Sequence, residues 1–122
     1  MEQTAIRQWP IKLNKVPANA PYFHNAHLLI AADCLAYVYP RFSERLTADK
    51  TLVLGCPSNN WRLTEQVLEI LQINDVTEIT LARVGSECCK SISQNVMTAI
   101  RQSGKDIPLN VMTIIPDGEE IA

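Results

Sequence analysis

Cysteines are the residues of this chain best suited to chemistry, and each one follows a short apolar run. Those runs span residues 28–34, 51–57 and 79–89, and they carry Cys34, then Cys56, then Cys88 and Cys89. Apolar runs of this length, bounded by turn residues, are typical of buried strands in a parallel sheet. Since ligands of open α/β sheets bind at the carboxyl ends of the strands, we predict one composite thiol site there.

Metal binding is the chemistry that such a set of thiols favours. Thiolates bind zinc, iron and iron–sulfur clusters, but the chain has neither the paired spacing of a structural zinc site nor the cysteine run of bacterial cluster proteins. Cys88 and Cys89 are adjacent, so on a helix their side chains would diverge by about 100°. Cys34, Cys56 and one of that pair converge more easily, which leaves an open coordination position or a non-protein ligand. The predicted cofactor is a metal ion, zinc or iron, or an iron–sulfur cluster.

Local electrostatics support thiolates at the third corner. With Ser86 as the N-cap of a following helix, Cys88 and Cys89 would occupy its first turn, where free N–H groups and the helix dipole stabilise negative charge. Asp33, beside Cys34, would repel a thiolate unless its carboxylate bonds elsewhere, and a bound cation would reverse that effect.

Other interpretations of the cysteines remain open at this point. Small apolar cysteines also pack near sheet ends, as in a non-catalytic binding or scaffold domain. A thiol enzyme or sulfur carrier using Cys88 or Cys89 is a second alternative, although a cysteine nucleophile needs a base. His24 and His27 are predicted at the opposite end of the first strand, so neither is placed to serve as base or ligand. Gly55 opens a tight corner, but no glycine-rich phosphate motif accompanies it.

Composition predicts one soluble domain over residues 1–122, with residues 1–8 as an arm or short helix. The chain has 122 residues, 47% of them apolar and 20% charged, and a net charge of −2. No basic field favours nucleic acid or an anionic membrane, and no apolar run has the length of a membrane span. The chain starts without a signal peptide, so we expect the cytoplasm, where thiols stay reduced and serve metal or redox chemistry. The oligomeric state is not predicted.

Apolar periodicity predicts the elements that position the thiols. Residues 9–16 alternate between apolar and polar side chains and predict an edge strand. Four central strands are predicted at residues 28–34, 51–55, 76–84 and 108–115. Pro40 either opens or kinks the helix after the first strand. Two further helices have buried stripes, and Gly104 ends the second; the stripes are Leu63, Val67, Ile70 and Leu71, then Ile92, Val96, Ala99 and Ile100.

These elements predict an α/β fold with a single open, mostly parallel sheet of about four to five strands and helices on both faces. This is a Rossmann-like or flavodoxin-like three-layer arrangement. A strand order such as 2-1-3-4 would bring the ends of the first and third strands together.

An ordered string of motifs over residues 8–120 resembles the C-terminal half of a family of prokaryotic ferredoxin-like 4Fe-4S iron–sulfur proteins. The motifs, in order, are Trp9-Pro10-Ile11-Lys12-Leu13, Ala20-Pro21-Tyr22-Phe23, residues 28–34, Gly55-Cys56-Pro57, Glu87-Cys88-Cys89, residues 103–109 and Asp117-Gly118. The resemblance carries over Cys34, Cys56, Cys88 and Cys89, and it implies redox or electron-transfer work, with a ferredoxin-type protein as partner. The chain departs from the family in lacking the N-terminal ferredoxin module, and also at residues 58–60 and 84–86. Whether it is an enzyme stays open.

Overall fold

A five-stranded sheet forms the centre of the protein, here as a computed structural model that describes residues 8–86, 90–115 and 120–121. Its strands lie in the order β2-β1-β3-β4-β5. They span, in chain order, β1 (His27–Ala32), β2 (Thr51–Gly55), β3 (Glu78–Val84), β4 (Leu109–Ile114) and β5 (Glu120–Ile121). The first four pair in parallel, while β5 runs antiparallel to β4. The predicted α/β class is therefore confirmed, and the four parallel strands have the 2-1-3-4 order that the sequence offered as one possibility.

Helices cover the two faces of the sheet. The helices are α1 (Leu35–Val38), α2 (Phe42–Leu46), α3 (Leu63–Ile73) and α4 (Ile92–Ser103). One buried cluster joins α3 and α4 to alternate residues of β1, β2 and β3, and a second joins α1 and α2 to the residues that point the other way. Because side chains alternate along a strand, the apolar runs of β1 and β3 are explained by burial on both faces.

The two longer helices follow the apolar stripes that predict them. Leu63, Val67, Ile70 and Leu71 are all buried in α3, as are Ile92, Val96 and Ala99 in α4. Gly104 ends α4 in the left-handed conformation, with φ of 71°, which explains why a glycine stands there.

The segment before β1 differs from the predicted edge strand. Its only bridge is the parallel one between Lys12 and Leu54 of β2, among the described residues. The chain then turns at once, since the N–H groups of Lys15 and Val16 both donate to the Lys12 carbonyl. Pro21, at the first position of a 3-10 helix (Pro21–Phe23), leads towards β1. The edge position was predicted correctly, and the extended conformation was not.

Pro40 separates two short helices instead of opening or kinking one. The helix α1 ends before Tyr39, and α2 starts after Arg41, which adopts the left-handed conformation with φ of 57°. Phe42 and Leu46 face the sheet as predicted. A proline has no N–H to continue the first helix, so the chain must restart the helical turn after it.

β3 ends at Val84 as predicted, but the helix that follows it begins later than expected. The N–H of Gly85 still donates to the Ile114 carbonyl of β4, and α4 begins only at Ile92 with Ser91 as its N-cap. The prediction that Ser86 caps this helix is therefore wrong. Cys88 and Cys89, predicted in its first turn, lie outside the described residues.

The polar tail expected at the C-terminus contributes the short strand β5. Its Glu120 pairs with Ile114 and its Ile121 with Thr113 of β4. The predicted turn at Asp117-Gly118 lies outside the described residues. Across the part of the chain that the structure describes, no helix has the length and apolar character needed to cross a membrane.

Candidate functional site

The strand order brings the carboxyl ends of β1, β2 and β3 to one edge of the sheet. The chain passes from β1 to β2 on one side and then returns to β3 on the other, so β1 and β3 form the switch point of the sheet. In open α/β sheets, ligands bind in the crevice outside the carboxyl ends of the strands at such a point. We call the residues that follow β1, β2 and β3 the carboxyl edge; in the described part they are Asp33, Cys34, Cys56, Gly85 and Ser86.

Cys34 and Cys56 occupy matching places after neighbouring strands. Ala32, at the end of β1, pairs with Gly55, at the end of β2. Cys34 is the second residue after Ala32, and Cys56 is the first residue after Gly55. Neighbouring strands lie about 4.8 Å apart, so the two corners start side by side. Cys34 is exposed and Cys56 is half-buried, and both thiols are free. Neither thiol fills the hydrophobic core.

The corner that carries Cys56 is held by local hydrogen bonds. The N–H of Asn59 donates to the Cys56 carbonyl and closes a turn. A hydrogen bond of 2.9 Å joins Cys56 Sγ and Ser58 Oγ, and either atom is able to donate it. Asn60 Oδ1 accepts the N–H of Arg62, which is the N-cap residue of α3 and makes no side-chain cap hydrogen bond. Gly55 is required because a Cβ there would lie 3.2 Å from Leu63 Cδ1.

Asp33 has an unusual environment beside Cys34. Its Oδ2 accepts a hydrogen bond from Lys12 Nζ at 3.0 Å and one from Asn59 Nδ2 at 3.4 Å. Its Oδ1 is buried without a hydrogen-bond partner among the described residues. Lys12 thus offsets the charge that would oppose a thiolate at Cys34, while Oδ1 remains available as an acceptor or ligand atom.

The described residues supply part of the predicted thiol set. Cys88 and Cys89 lie outside them, so their distances to Cys34 and Cys56 are not described. Within residues 8–86, 90–115 and 120–121, no group of three His, Cys, Asp or Glu side chains is close enough to hold a metal ion.

A basic cleft beside the carboxyl edge was not predicted from the sequence. It has a volume of about 420 Å³ and is lined by Arg83, Val84, Gly85, Ser86 and Lys90. The signal was Arg83, a charged residue between the buried Ala82 and Val84 of β3, where burial disfavours an unpaired charge.

A second cleft of about 420 Å³ lies at the opposite, amino edge of the sheet. Its lining includes Tyr22, His24, His27 and Lys50. His27, the first residue of β1, shares a hydrogen bond of 2.7 Å between its Nε2 and Thr80 Oγ1. Burial raises the pKa of the Tyr22 hydroxyl above its ordinary value of 10.0. As predicted, the histidines and Cys34 lie at opposite ends of β1, and the position of this cleft does not favour a ligand site in this type of sheet.

Comparisons with known proteins agree with this architecture. A family model described as a Rossmann-like domain matches residues 20–122. An uncharacterized protein of Archaeoglobus fulgidus is 28% identical over 102 residues, which cover 82% of this chain and 71% of that protein. No solved structure matches the chain significantly. The family model covers both the parallel sheet and the carboxyl edge, and the chain belongs to the Rossmann-like domain family.

Proposed function

We propose that the carboxyl edge binds a metal ion, zinc or iron, or an iron–sulfur cluster through the thiolates of Cys34, Cys56, Cys88 and Cys89. The observation that carries the proposal is the strand order β2-β1-β3. It makes the carboxyl ends of β1, β2 and β3 successive neighbours along one edge of the sheet. Cys34 and Cys56 follow two of these ends, and Cys88 and Cys89 follow the third in the sequence.

The residues around Cys34 and Cys56 fit a bound cation. Free, accessible thiols are the usual ligands of zinc and of iron–sulfur clusters. The buried, unpartnered Oδ1 of Asp33 would gain an electrostatic partner from a cation held beside it. Asn59 and Lys12, bonded to the other oxygen, hold that carboxylate in one orientation. In this arrangement Asp33 positions the site, and the thiolates bind the metal.

The proposal places the protein in redox or electron-transfer processes of the cytoplasm. An iron centre or cluster would supply one-electron chemistry, whereas zinc would hold the three corners together. A ferredoxin-type protein is the proposed partner, because the sequence motifs resemble those of that iron–sulfur family. Large exposed aromatic side chains follow both cysteines, Tyr37 being 90% exposed and Trp61 86% exposed, and they offer a contact surface for such a partner.

Elemental analysis of protein purified without oxygen tests the proposal. We expect stoichiometric zinc or iron in the wild-type protein, and little metal in the Cys34→Ser and Cys56→Ser variants, because each removes a ligand. Asp33→Asn should weaken metal binding by about tenfold, as is typical for a residue that orients ligands.

Asp49→Asn is the matched control. It removes the same charge, but Asp49 lies in the cleft at the amino edge, and asparagine suits its left-handed backbone. We expect this variant to retain its metal. A wild-type protein free of zinc and iron after anaerobic purification would contradict the proposal, as would an unchanged metal content in both cysteine variants.

A further inference from the structure

The basic cleft beside β3 has the composition of an anion site. Arg83 and Lys90 bring two positive charges to its lining, and no acidic side chain is among the lining residues that the structure describes. The cleft opens at the end of β3, next to the N-terminus of the twelve-residue helix α4. Positive charges gathered at one open cleft attract anions to it.

Arg83 is held in one orientation by neutral partners. Its Nε donates to Thr113 Oγ1 at 3.0 Å, and its Nη1 donates to Ser93 Oγ at 3.1 Å. These contacts anchor the guanidinium to β4 and α4 and use two of its five N–H groups. Arg83 is half-buried, and it forms no ion pair with any carboxylate of the described chain. A half-buried guanidinium whose partners among the described residues are neutral hydroxyls attracts an anion.

Gly85 leaves room for the hydrogen bond between Arg83 and Thr113. The Gly85 N–H bonds to the Ile114 carbonyl, which holds this residue close to β4. A Cβ on Gly85 would lie 3.3 Å from Thr113 Cγ2, against the side chain that accepts the Arg83 hydrogen bond. The absence of a side chain at this position therefore leaves both the cleft and the Arg83 anchor intact.

We propose that this cleft binds a small oxyanion, carried by a phosphate or a carboxylate group, with Arg83 as its principal contact. The planar guanidinium offers parallel N–H donors that match two oxygens of such a group. The site rests on Arg83, Thr113, Ser93 and the cleft, and it does not depend on a metal at the cysteines.

Titration of chelator-treated protein with inorganic phosphate and, separately, with acetate tests this proposal. Binding is followed by NMR through the Arg83 Nε–H signal and the Gly85 amide signal. We expect saturable shifts of both signals with at least one of the two anions. Saturation with phosphate alone identifies a phosphate-bearing ligand, and saturation with acetate alone identifies a carboxylate-bearing one. The absence of saturable shifts with both anions would overturn the proposal.

Variants assign the binding to Arg83. We expect Arg83→Gln to bind at least about tenfold more weakly, which is the loss typical of a charged hydrogen bond. Arg101→Gln is the matched control, because Arg101 also bonds a threonine hydroxyl but lies exposed in the last turn of α4. It should bind as the wild type does. Equal affinity in Arg83→Gln would overturn the proposal.

Arg83→Lys keeps the test decisive if Arg83→Gln fails to fold. Lysine retains the charge but loses the fork of parallel donors, so it should also bind the anion more weakly. Unfolding curves for each variant establish that the folded protein is being titrated. Unweakened binding by a folded Arg83→Lys variant would show that the guanidinium is not the contact.

Discussion

The chemistry of Asp33 depends on side chains that are remote from it in the sequence. Its neighbour Cys34 suggested only a repulsion between a carboxylate and a thiolate. In the folded protein, Lys12 and Asn59 bond one carboxylate oxygen, while the other is buried without a partner in the described chain. The exposed ion pair with Lys12 contributes little to stability, roughly 0–1 kcal/mol, so its interest lies in orienting Asp33.

Tyr22 is the residue whose hydroxyl the fold leaves unsatisfied. Its Oη is buried and has no hydrogen-bond partner among the described residues. A buried hydroxyl without a partner is destabilising, so Tyr22→Phe should leave the free energy of unfolding unchanged or raise it by up to about 1 kcal/mol. Urea unfolding at neutral pH measures this difference. A clear loss of stability would contradict it, because it would reveal a partner for the hydroxyl.

The same substitution has a pH dependence of known sign. Burial raises the pKa of Tyr22 in the folded protein above the ordinary value of 10.0, so the unfolded chain loses this proton first. The stability linked to this proton is full below pH 10.0 and falls as the pH rises through the folded pKa. Tyr22→Phe should remove this contribution to the decrease in the free energy of unfolding at high pH. Tyr37→Phe is the control for removal of a tyrosine hydroxyl, because Tyr37 is exposed.

At the scale of elements, Lys105 connects two helices that the sequence presents as separate units. It follows α4, yet its Nζ donates to the carbonyls of Leu71 at 2.6 Å and Asn74 at 3.1 Å, at the end of α3. An ammonium group satisfies free carbonyls there and interacts well with the negative end of the helix. Lys105→Met should therefore lower the free energy of unfolding by about 1–2 kcal/mol.

Lys15→Met provides the comparison, since Lys15 is an exposed residue in a turn. Its effect should stay within about 0.5 kcal/mol. Urea unfolding of both variants measures the two effects. Equal values would mean that Lys105 does not stabilise the end of α3.

The sequence predicted elements best where the apolar pattern is strong. The bounds of β2 followed from a continuous apolar run, and the buried stripes of α3 and α4 followed from helical spacing. Two predictions failed where a single backbone choice decides the outcome. Arg41 takes a left-handed conformation after Pro40 and splits one expected helix into two, and Lys12 starts a turn in place of a strand. Such choices depend on tertiary contacts that local propensity does not contain.

At the scale of the whole molecule, the parallel sheet was predictable because its strands are buried on both faces. The strand order was not predictable in this way, because several orders of parallel strands bury the same apolar runs; the observed order is 2-1-3-4, extended by β5. The shared edge of Cys34 and Cys56 was also predictable, since parallel neighbours end together. The position of Arg83 at the basic cleft was not predictable, because its hydroxyl partners Ser93 and Thr113 come from different elements.

Titration of metal-free protein with Co²⁺ under anaerobic conditions tests most directly whether the cysteines form one site. A cobalt ion bound by thiolates absorbs through sulfur-to-metal charge transfer, which reports the ligands themselves. We predict binding of one ion per chain with a thiolate band that weakens in both Cys34→Ser and Cys56→Ser, and in at least one of Cys88→Ser and Cys89→Ser. A spectrum without a thiolate band, or a band unchanged in both Cys34→Ser and Cys56→Ser, would contradict the account.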